Sequence, residues 1–572
     1  MGMSEATAPT AIAARRRPQA ISLDRLCLLL LAAVAILILY PIGTMVVHAF
    51  ITDAGEAGGL RELLYSDLPQ VLLDTTLVVT LSGTIALAVG AGLAWLNERT
   101  DARVGWVGDV LPLVPLLVPQ IAAVAGWVML LAPQAGLLNG LLRDLFLQFG
   151  MPMRRGPINV YSFGGLVAVM ALYLVPYVYL TIGAALQSLD PSLEEASRMS
   201  RAGAFTTLRR VTLPAIQPAL AASVLILIML GFAIFSVPAV IGTGAHIDLL
   251  SVRIYRLVAS YPARMDLAIL LGIFLTVIVQ AALLLQVRIA GSRRAATIGG
   301  RGLRAGVTRL GRWRWVARVA LVAYVLASAV LPLLALALVS LQPFWTPRIA
   351  WDRVGLQNYV AVLVDNAITR SALGNSILLG LVGATIGMLI AAMLALAAQR
   401  RGGLFGRMAE GITALPAGVP HVVLAVGFIL CFSGSGINLS GTLTVLLMIY
   451  LVMNMPQAMR AATAAVGQVG RELVEASQIF RATPARTFRR ILLPLMLPSL
   501  AAGWVILFVQ MSGELTASAL LAGASNPVVG QVILDLWQNG SFPQIAALAL
   551  TITVINAAIV LVALRAARGR RR

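Results

Sequence analysis

Stretches apolar and long enough to cross a bilayer, about twenty residues at ~1.5 Å per residue, begin near residues 26, 71, 106, 161, 214 and 267 and again near 316, 372, 408, 441, 495 and 543. A chain built this way must satisfy its backbone polar groups inside each segment, so it folds as membrane-spanning helices. Composition agrees: 59% of the 572 residues are hydrophobic and 12% charged, against roughly a quarter charged in a soluble domain, and the mean hydropathy is +0.90. The expected fold is an all-α integral membrane protein with twelve transmembrane helices in two tandem groups of six. The first group occupies residues 26–287 and the second 319–565, with an N-terminal tail 1–25, an Arg/Gly-rich linker 288–318 and a basic tail 566–572. Arg15, Arg16 and Arg17 before the first apolar run imitate a secretory signal. That run is too long for one and lacks a small-x-small cleavage site, so it reads as a retained first span.

All 43 basic residues are arginine. Nucleic-acid binding would need them gathered on one soluble face, but they fall in short runs between apolar segments. With both termini and the linker on the inner side, inner segments hold 33 of them and outer loops 10, the asymmetry expected of cytoplasmic loops. Without lysine, no phosphate-binding loop of the G-x-x-x-x-G-K-[ST] type is possible. Cys27 and Cys431 sit in apolar runs, and His48, His246 and His421 are scattered. No disulfide framework, metal site, cofactor site or catalytic constellation is expected.

The two groups of six are copies. Pro115, Pro119 and Gly126 match Pro416, Pro420 and Gly427 at an offset of 301, as Asp74-Thr75 matches Asn375-Ser376. Pro176 and Pro218 match Pro456 and Pro498 at 280. The 21-residue difference falls in one outer loop, 133–160 against 434–440. Both halves then enter the membrane in the same sense, related by an axis along its normal.

One polar segment is also copied. Residues 195–214 read EASRMSRAGAFTTLRRVTLP and 475–494 read EASQIFRATPARTFRRILLP, identical at ten of twenty positions. Glu195, Arg198, Arg201, Arg209 and Arg210 cannot all lie in hydrocarbon, where each arginine costs about 2.5 kcal/mol or more. Each copy reads as two short helices on the inner side. In the second, Thr483 is a suitable N-cap, Pro484 a first helical residue, and Arg489 and Arg490 a cationic last turn, after which Leu-Pro opens the next span. A lone loop of this kind would be read as lying among lipid headgroups. Two copies with the same residues at the same spacing ask for a partner with two equivalent grooves.

These copies resemble the cytoplasmic loop of binding-protein-dependent ABC importer permeases, whose pattern is E-A-A, three residues, G, nine residues, I-x-L-P. Glu195, Ala196 and Ser197 with Leu213-Pro214, and Glu475, Ala476 and Ser477 with Leu493-Pro494, keep that spacing. Ile491 fills the isoleucine position and Val211 replaces it in the first copy, while Ser197 and Ser477 replace the third Ala and Arg201 and Arg481 the glycine. The resemblance implies a type I importer permease fold and coupling loops seated on a separate ATPase homodimer. Glu195, Ala196, Ser197, Arg201, Gly203, Arg209, Arg210 and Pro214, with Glu475, Ala476, Ser477, Arg481, Pro484, Arg489, Arg490 and Pro494, would form them. It further implies an extracytoplasmic substrate-binding protein, a bacterial inner-membrane location and no catalysis in this chain. Fusion of the halves, with AWLNERTD (Ala94 to Asp101), FSVPAVIGTG (Phe235 to Gly244) and GELTASALLAG (Gly513 to Gly523), most resembles the ferric-iron branch; thiamine, aminoethylphosphonate, polyamine and sulfate branches remain alternatives. A secondary transporter with two six-span halves would need ionisable residues along its spans, and only Glu514 lies well inside one. An intramembrane enzyme would need a cluster of His, Asp or Cys at membrane depth, and none is visible. Glu514, with the small or hydroxylated Ser512 and Thr516 and the matched Pro119 and Pro420, is the expected lining of the translocation path.

Overall fold

The computed structural model describes residues 23–51, 67–103, 114–116, 118–291, 308–433, 438–468, 477 and 484–569. Helices account for nearly all of the regular structure. The first half contains α1 (Leu23–Ile51), α2 (Leu68–Arg99), α3 (Gln120–Leu131), α4 (Leu137–Gln148), α5 (Phe163–Ser188), α6 (Pro191–Met199), α7 (Ala204–Ala215), α8 (Gln217–Ala233), α9 (Leu250–Ala259) and α10 (Met265–Gly291). The second contains α11 (Trp313–Ser340), α12 (Ala367–Arg401), α13 (Gly403–Gly418), α14 (His421–Phe432), α15 (Leu443–Gly467), α16 (Leu493–Ser512), α17 (Ser518–Leu521), α18 (Val529–Gln538) and α19 (Phe542–Gly569).

Among the described residues nine helical segments are long and apolar enough to span a membrane singly. Two more arise from bent pairs, α7 with α8 at 72° and α13 with α14 at 102°. The twelfth expected segment, near residue 106, is represented by the twelve-residue α3, and residues 104–113 lie outside the described residues. Of the matched prolines, Pro119 and Pro420 each immediately precede a helix, α3 and α14, with Pro420 at the sharper bend, while Pro176, Pro456 and Pro498 lie inside α5, α15 and α16. Helix α10 continues to Gly291 and α11 begins at Trp313, so both reach into the expected linker.

The copies use their matched residues alike. Ser162 Oγ accepts from Gly165 N at the start of α5, and Thr442 Oγ1 from Val445 N at the start of α15. Thr75 Oγ1 accepts from Leu250 N (3.0 Å) and Ser376 Oγ from Val529 N (2.8 Å), giving the orphan donors at the starts of α9 and α18 a partner on the second helix of their own half. α2 packs against α5 and α8, and α12 against α15 and α16. The backbones come close where glycine leaves room: a Cβ on Gly90 would lie 2.7 Å from that of Val178, and one on Gly503 2.6 Å from that of Ala461.

The first helix of each half reaches across to the other half, α11 while also keeping its contact with α19. α1 packs on α14 and α12, and α11 packs on α3 and α19. Gly427 in α14 faces the backbone carbonyl of Pro41 in α1, and Gly126 in α3 faces that of Pro332 in α11. Neither main hydrophobic core therefore belongs to one half: one joins Val78–Ile241 residues to Leu321, Leu336 and Ile552, the other joins Val34 and Leu275 to Phe428 and Tyr450. At the end opposite the repeated loops, Arg348 pairs with Asp144 across the halves at 2.6 Å.

Candidate functional site

The two repeated segments lie at one end of the molecule. α12 and α15 run parallel, with Gly383 beside Leu447 and Gly387 beside Leu451, so the second loop follows the end of α12. α1 begins beside that end, Cys27 Sγ lying 4.0 Å from Met393 O. The far half of α1 meets the start of α2, Met45 sharing a core with Leu68 and Val71. α2 therefore ends where α1 begins, and the first loop follows α5 there.

In the first copy α6 holds Glu195, Ala196 and Ser197, and Gly203 opens α7. Between them Arg201 takes the left-handed conformation, φ 57°, which glycine normally supplies at a helix C-terminus. Ala202 N donates to Ser197 O and Ser200 N to Ala196 O, both 3.2 Å, closing α6 as a glycine would. The turn of the resembled pattern is thus kept with arginine in it. Ser197 Oγ hydrogen-bonds Thr207 Oγ1 at 2.9 Å, and Ser477 Oγ bonds Thr487 Oγ1 in the second copy. Serine in place of the third alanine therefore ties α6 to α7, and the same hydroxyl contact recurs in the second copy.

Glu195, Ala196, Arg201, Gly203, Arg209, Arg210 and Pro214 are exposed. Met199 and Phe205, which the sequence reading did not single out, stand 87% and 73% exposed on either side of the turn. Large apolar side chains beside arginines are what a protein groove would bind; no periodicity marks them, because they sit at the turn. Glu195 makes no ion pair among the described residues; the buried acid is its neighbour Glu194, paired with Arg99 at 3.5 Å.

Two expectations need correction. Leu213-Pro214 lies inside α7, and the span opens at Gln217 after the bend. The second copy is helical from Pro484 without a break into α16, so Arg489 and Arg490 lie in the helix interior, Pro494 lies in the first turn of α16, and no separate last turn exists. Glu475, Ala476, Arg481 and Thr483 lie outside the described residues; Arg490 and Pro494 are exposed.

Pro119 and the segment holding Ser512 to Thr516 meet where the halves touch. A Cβ on Gly513 would lie 2.9 Å from that of Pro119. Ser512, Thr516, Pro119 and Pro420 are buried and Glu514 is half-buried. Ser512 Oγ accepts from Asn556 Nδ2 at 2.8 Å. The Glu514 carboxylate accepts from Ala517 N (3.0 Å) and Ser518 N (3.1 Å), and Ser518 Oγ donates to Glu514 O (2.8 Å). It thus partners the free donors at the start of α17. The first half needs no such acid: Pro238, at the position of Ser518, begins the equivalent helical turn without an N–H, and Ile234 replaces Glu514. Gln120, at the start of α3, accepts from Ser236 Oγ at 3.0 Å. Among the described residues no group of three or more metal-ligating side chains occurs.

A multi-pass helical chain, duplicated end to end, with matched loops at one end and a contact of small residues between its halves, has the build of a membrane transport permease. The sequence model of the binding-protein-dependent transport system inner membrane component matches residues 84–294 and 383–569, once per half. The chain belongs to that family of ABC importer permeases, in its fused form. It is 25% identical to the ferric transport system permease protein FbpB of Actinobacillus pleuropneumoniae over 86% of this chain and 70% of the relative. It is 23% identical to the Fe(3+)-transport system permease protein FbpB 2 of Haemophilus influenzae, over 87% and 90%. The spermidine/putrescine transport system permease protein PotC of Escherichia coli K12 is 25% identical over 37% of this chain and 80% of its own length.

Proposed function

We propose that this chain forms the translocation path of an ATP-driven ferric-iron importer in the bacterial inner membrane. Twelve membrane segments in the two halves 26–287 and 319–565 would surround the path, and a separate ATPase homodimer would bind the two inner loops. The observation that carries the coupling role is the repeated hydroxyl pair, Ser197 with Thr207 and Ser477 with Thr487. In the first copy it joins the two short helices into one folded unit, and the same contact recurs in the second. A loop spread on lipid needs only an amphipathic pattern, whereas a folded unit with exposed Met199 and Phe205 presents a shaped surface. No lysine is available for a nucleotide loop in this chain, so ATP hydrolysis belongs to the partner.

Substrate would arrive on an extracytoplasmic binding protein at the opposite end. Ferric iron is the preferred substrate because relatives that match across both halves, over 86% and 87% of the chain, are named as ferric transport permeases. The path would open where Pro119 meets Gly513, between the halves, with Ser512 and Thr516 beside it. Pro420 holds the corresponding bend in the second half.

The test is reconstitution of the tagged chain with its co-purified ATPase and binding protein in lipid vesicles. Cysteine placed at Ala196, exposed on α6, is expected to cross-link to the ATPase, and the vesicles to take up radiolabelled Fe3+ only with ATP. Uptake of labelled spermidine without Fe3+ uptake would replace the substrate. Absence of any co-purifying ATPase would remove the coupling role.

A further inference from the structure

The first inner loop is held by a buried pair that the sequence of the second does not repeat. α2 ends at Arg99, whose side chain is 1% exposed, and the carboxylate it meets, Glu194 in α6, is also 1% exposed. Arg99 Nη1 lies 3.5 Å from Glu194 Oε2. Its Nη2 donates to Leu189 O at 2.9 Å and also to Leu186 O, the carbonyls that end α5. Thr212 Oγ1, in α7, donates to Glu194 Oε1 at 2.7 Å. One guanidinium and one carboxylate therefore bind four elements together: α2, α5 and both short helices of the loop. Nearby, Asn97 Nδ2 donates to Tyr179 OH at 3.0 Å, a second tie between α2 and α5.

The backbone of the same residues is gripped from the other side. Thr308 N donates to Arg99 O (2.9 Å), Asp101 N to Thr308 O (3.2 Å), and Leu310 N to Asp101 Oδ1 (2.9 Å). Arg318 reaches Asp101 O at 3.3 Å and Ala102 O at 3.4 Å. The chain entering the second half is thus pinned to the end of α2.

Of these residues the sequence of the second half keeps only the arginine at the matched positions. At the matched offsets Glu194 becomes Val474, Thr212 becomes Leu492, Asn97 becomes Ala398 and Tyr179 becomes Met459. Arg400, the counterpart of Arg99, is exposed in the last turn of α12. A buried ion pair contributes little net stability because both charges lose water, but losing one partner is strongly unfavourable. It resists sliding or separation of the elements it joins, which is why its presence in one copy alone matters.

We propose that Arg99 and Glu194 are positioning residues that make the first inner loop move as one body with α2 and α5, so that the two ATPase contacts of this chain are mechanically unequal. The inference rests on the coupling role proposed above. A displacement of α6 by the ATPase passes through Glu194 directly to the end of α2. In the second half no carboxylate stands at the matched position, and among the described residues the route runs through the continuous helix from Pro484 into α16.

The test uses the complete complex in vesicles and reads ATP hydrolysed per Fe3+ delivered by the binding protein. Arg99→Gln with Glu194→Gln removes both charges, leaves neither buried unpaired, and so remains foldable if either single variant fails to accumulate. That pair is expected to raise ATP per iron roughly tenfold while the ATPase still co-purifies. Where the single variants accumulate, each is expected to uncouple as strongly as the pair, the non-additivity of residues acting together. Arg400→Gln, at the matched position, is expected to leave the ratio within about twofold of the parent. An unchanged ratio in the double variant, additive effects of the singles, or equal uncoupling by Arg400→Gln would overturn the inference. A parent complex whose ATP hydrolysis is indifferent to the binding protein would instead overturn the coupling role itself.

Discussion

Arg201 shows how a side chain can occupy a position whose backbone favours glycine. The left-handed conformation costs a non-glycine residue about 1–2 kcal/mol, and the hydrogen bonds of Ala202 N and Ser200 N that close α6 offset it. Glu514, expected to line the path, also caps its own backbone. With the carboxylate engaged by Ala517 N and Ser518 N, Glu514→Gln keeps one acceptor oxygen and loses the charge, so we expect a loss of about 1 kcal/mol. Accumulation and Fe3+ uptake should stay near the parent's, and Glu514→Ala should lower the detergent-solubilised melting temperature further. A Glu514→Gln protein of normal stability whose uptake collapses would place the carboxylate in the path after all.

Among the elements, the contact of each first helix with the opposite half depends on two glycines. Ala at Gly427 would put its Cβ 2.9 Å from Pro41 O, and Ala at Gly126 would come closer still to Pro332 O. Backbone cannot move aside as a flexible side chain can, so overpacking here is expected to cost about 1–3 kcal/mol. Gly126→Ala should be the more destabilising of the two. Thermal unfolding in detergent, followed by intrinsic fluorescence or by loss of monodisperse protein, checks the order. The same reasoning leaves Gly43 in α1 tolerant, since nothing lies within 4 Å of a Cβ there.

For the molecule as a whole, the exchanged first helices and the shared cores mean that neither half buries its apolar surface alone. Orientation is carried by the arginines, 33 of 43 on the segments expected inside. A cysteine at Gly302 in an otherwise cysteine-free chain should therefore react with an impermeant maleimide only after the membrane is opened. Labelling in intact spheroplasts would invert the topology.

Much of this was open to reading before any coordinates. Hydrophobic run length specifies membrane helices because unpaired backbone cannot sit in lipid, and the duplication is visible because matched residues do matched work: Thr75 and Ser376 cap equivalent helices, and Ser162 and Thr442 begin equivalent ones. The repeat located the paired loops, and their resemblance to a known loop pattern pointed to the fused family. Tertiary structure decided what spacing cannot express. It chose Glu194 rather than its neighbour Glu195 as the buried acid, because only one of two adjacent helical residues can face Arg99. It placed α1 and α11 across the halves, since apolar helices carry no label for the partner they will cover. And it turned the Glu514 carboxylate toward a helix start, because a donor left bare in that interior costs more than a charge that satisfies it.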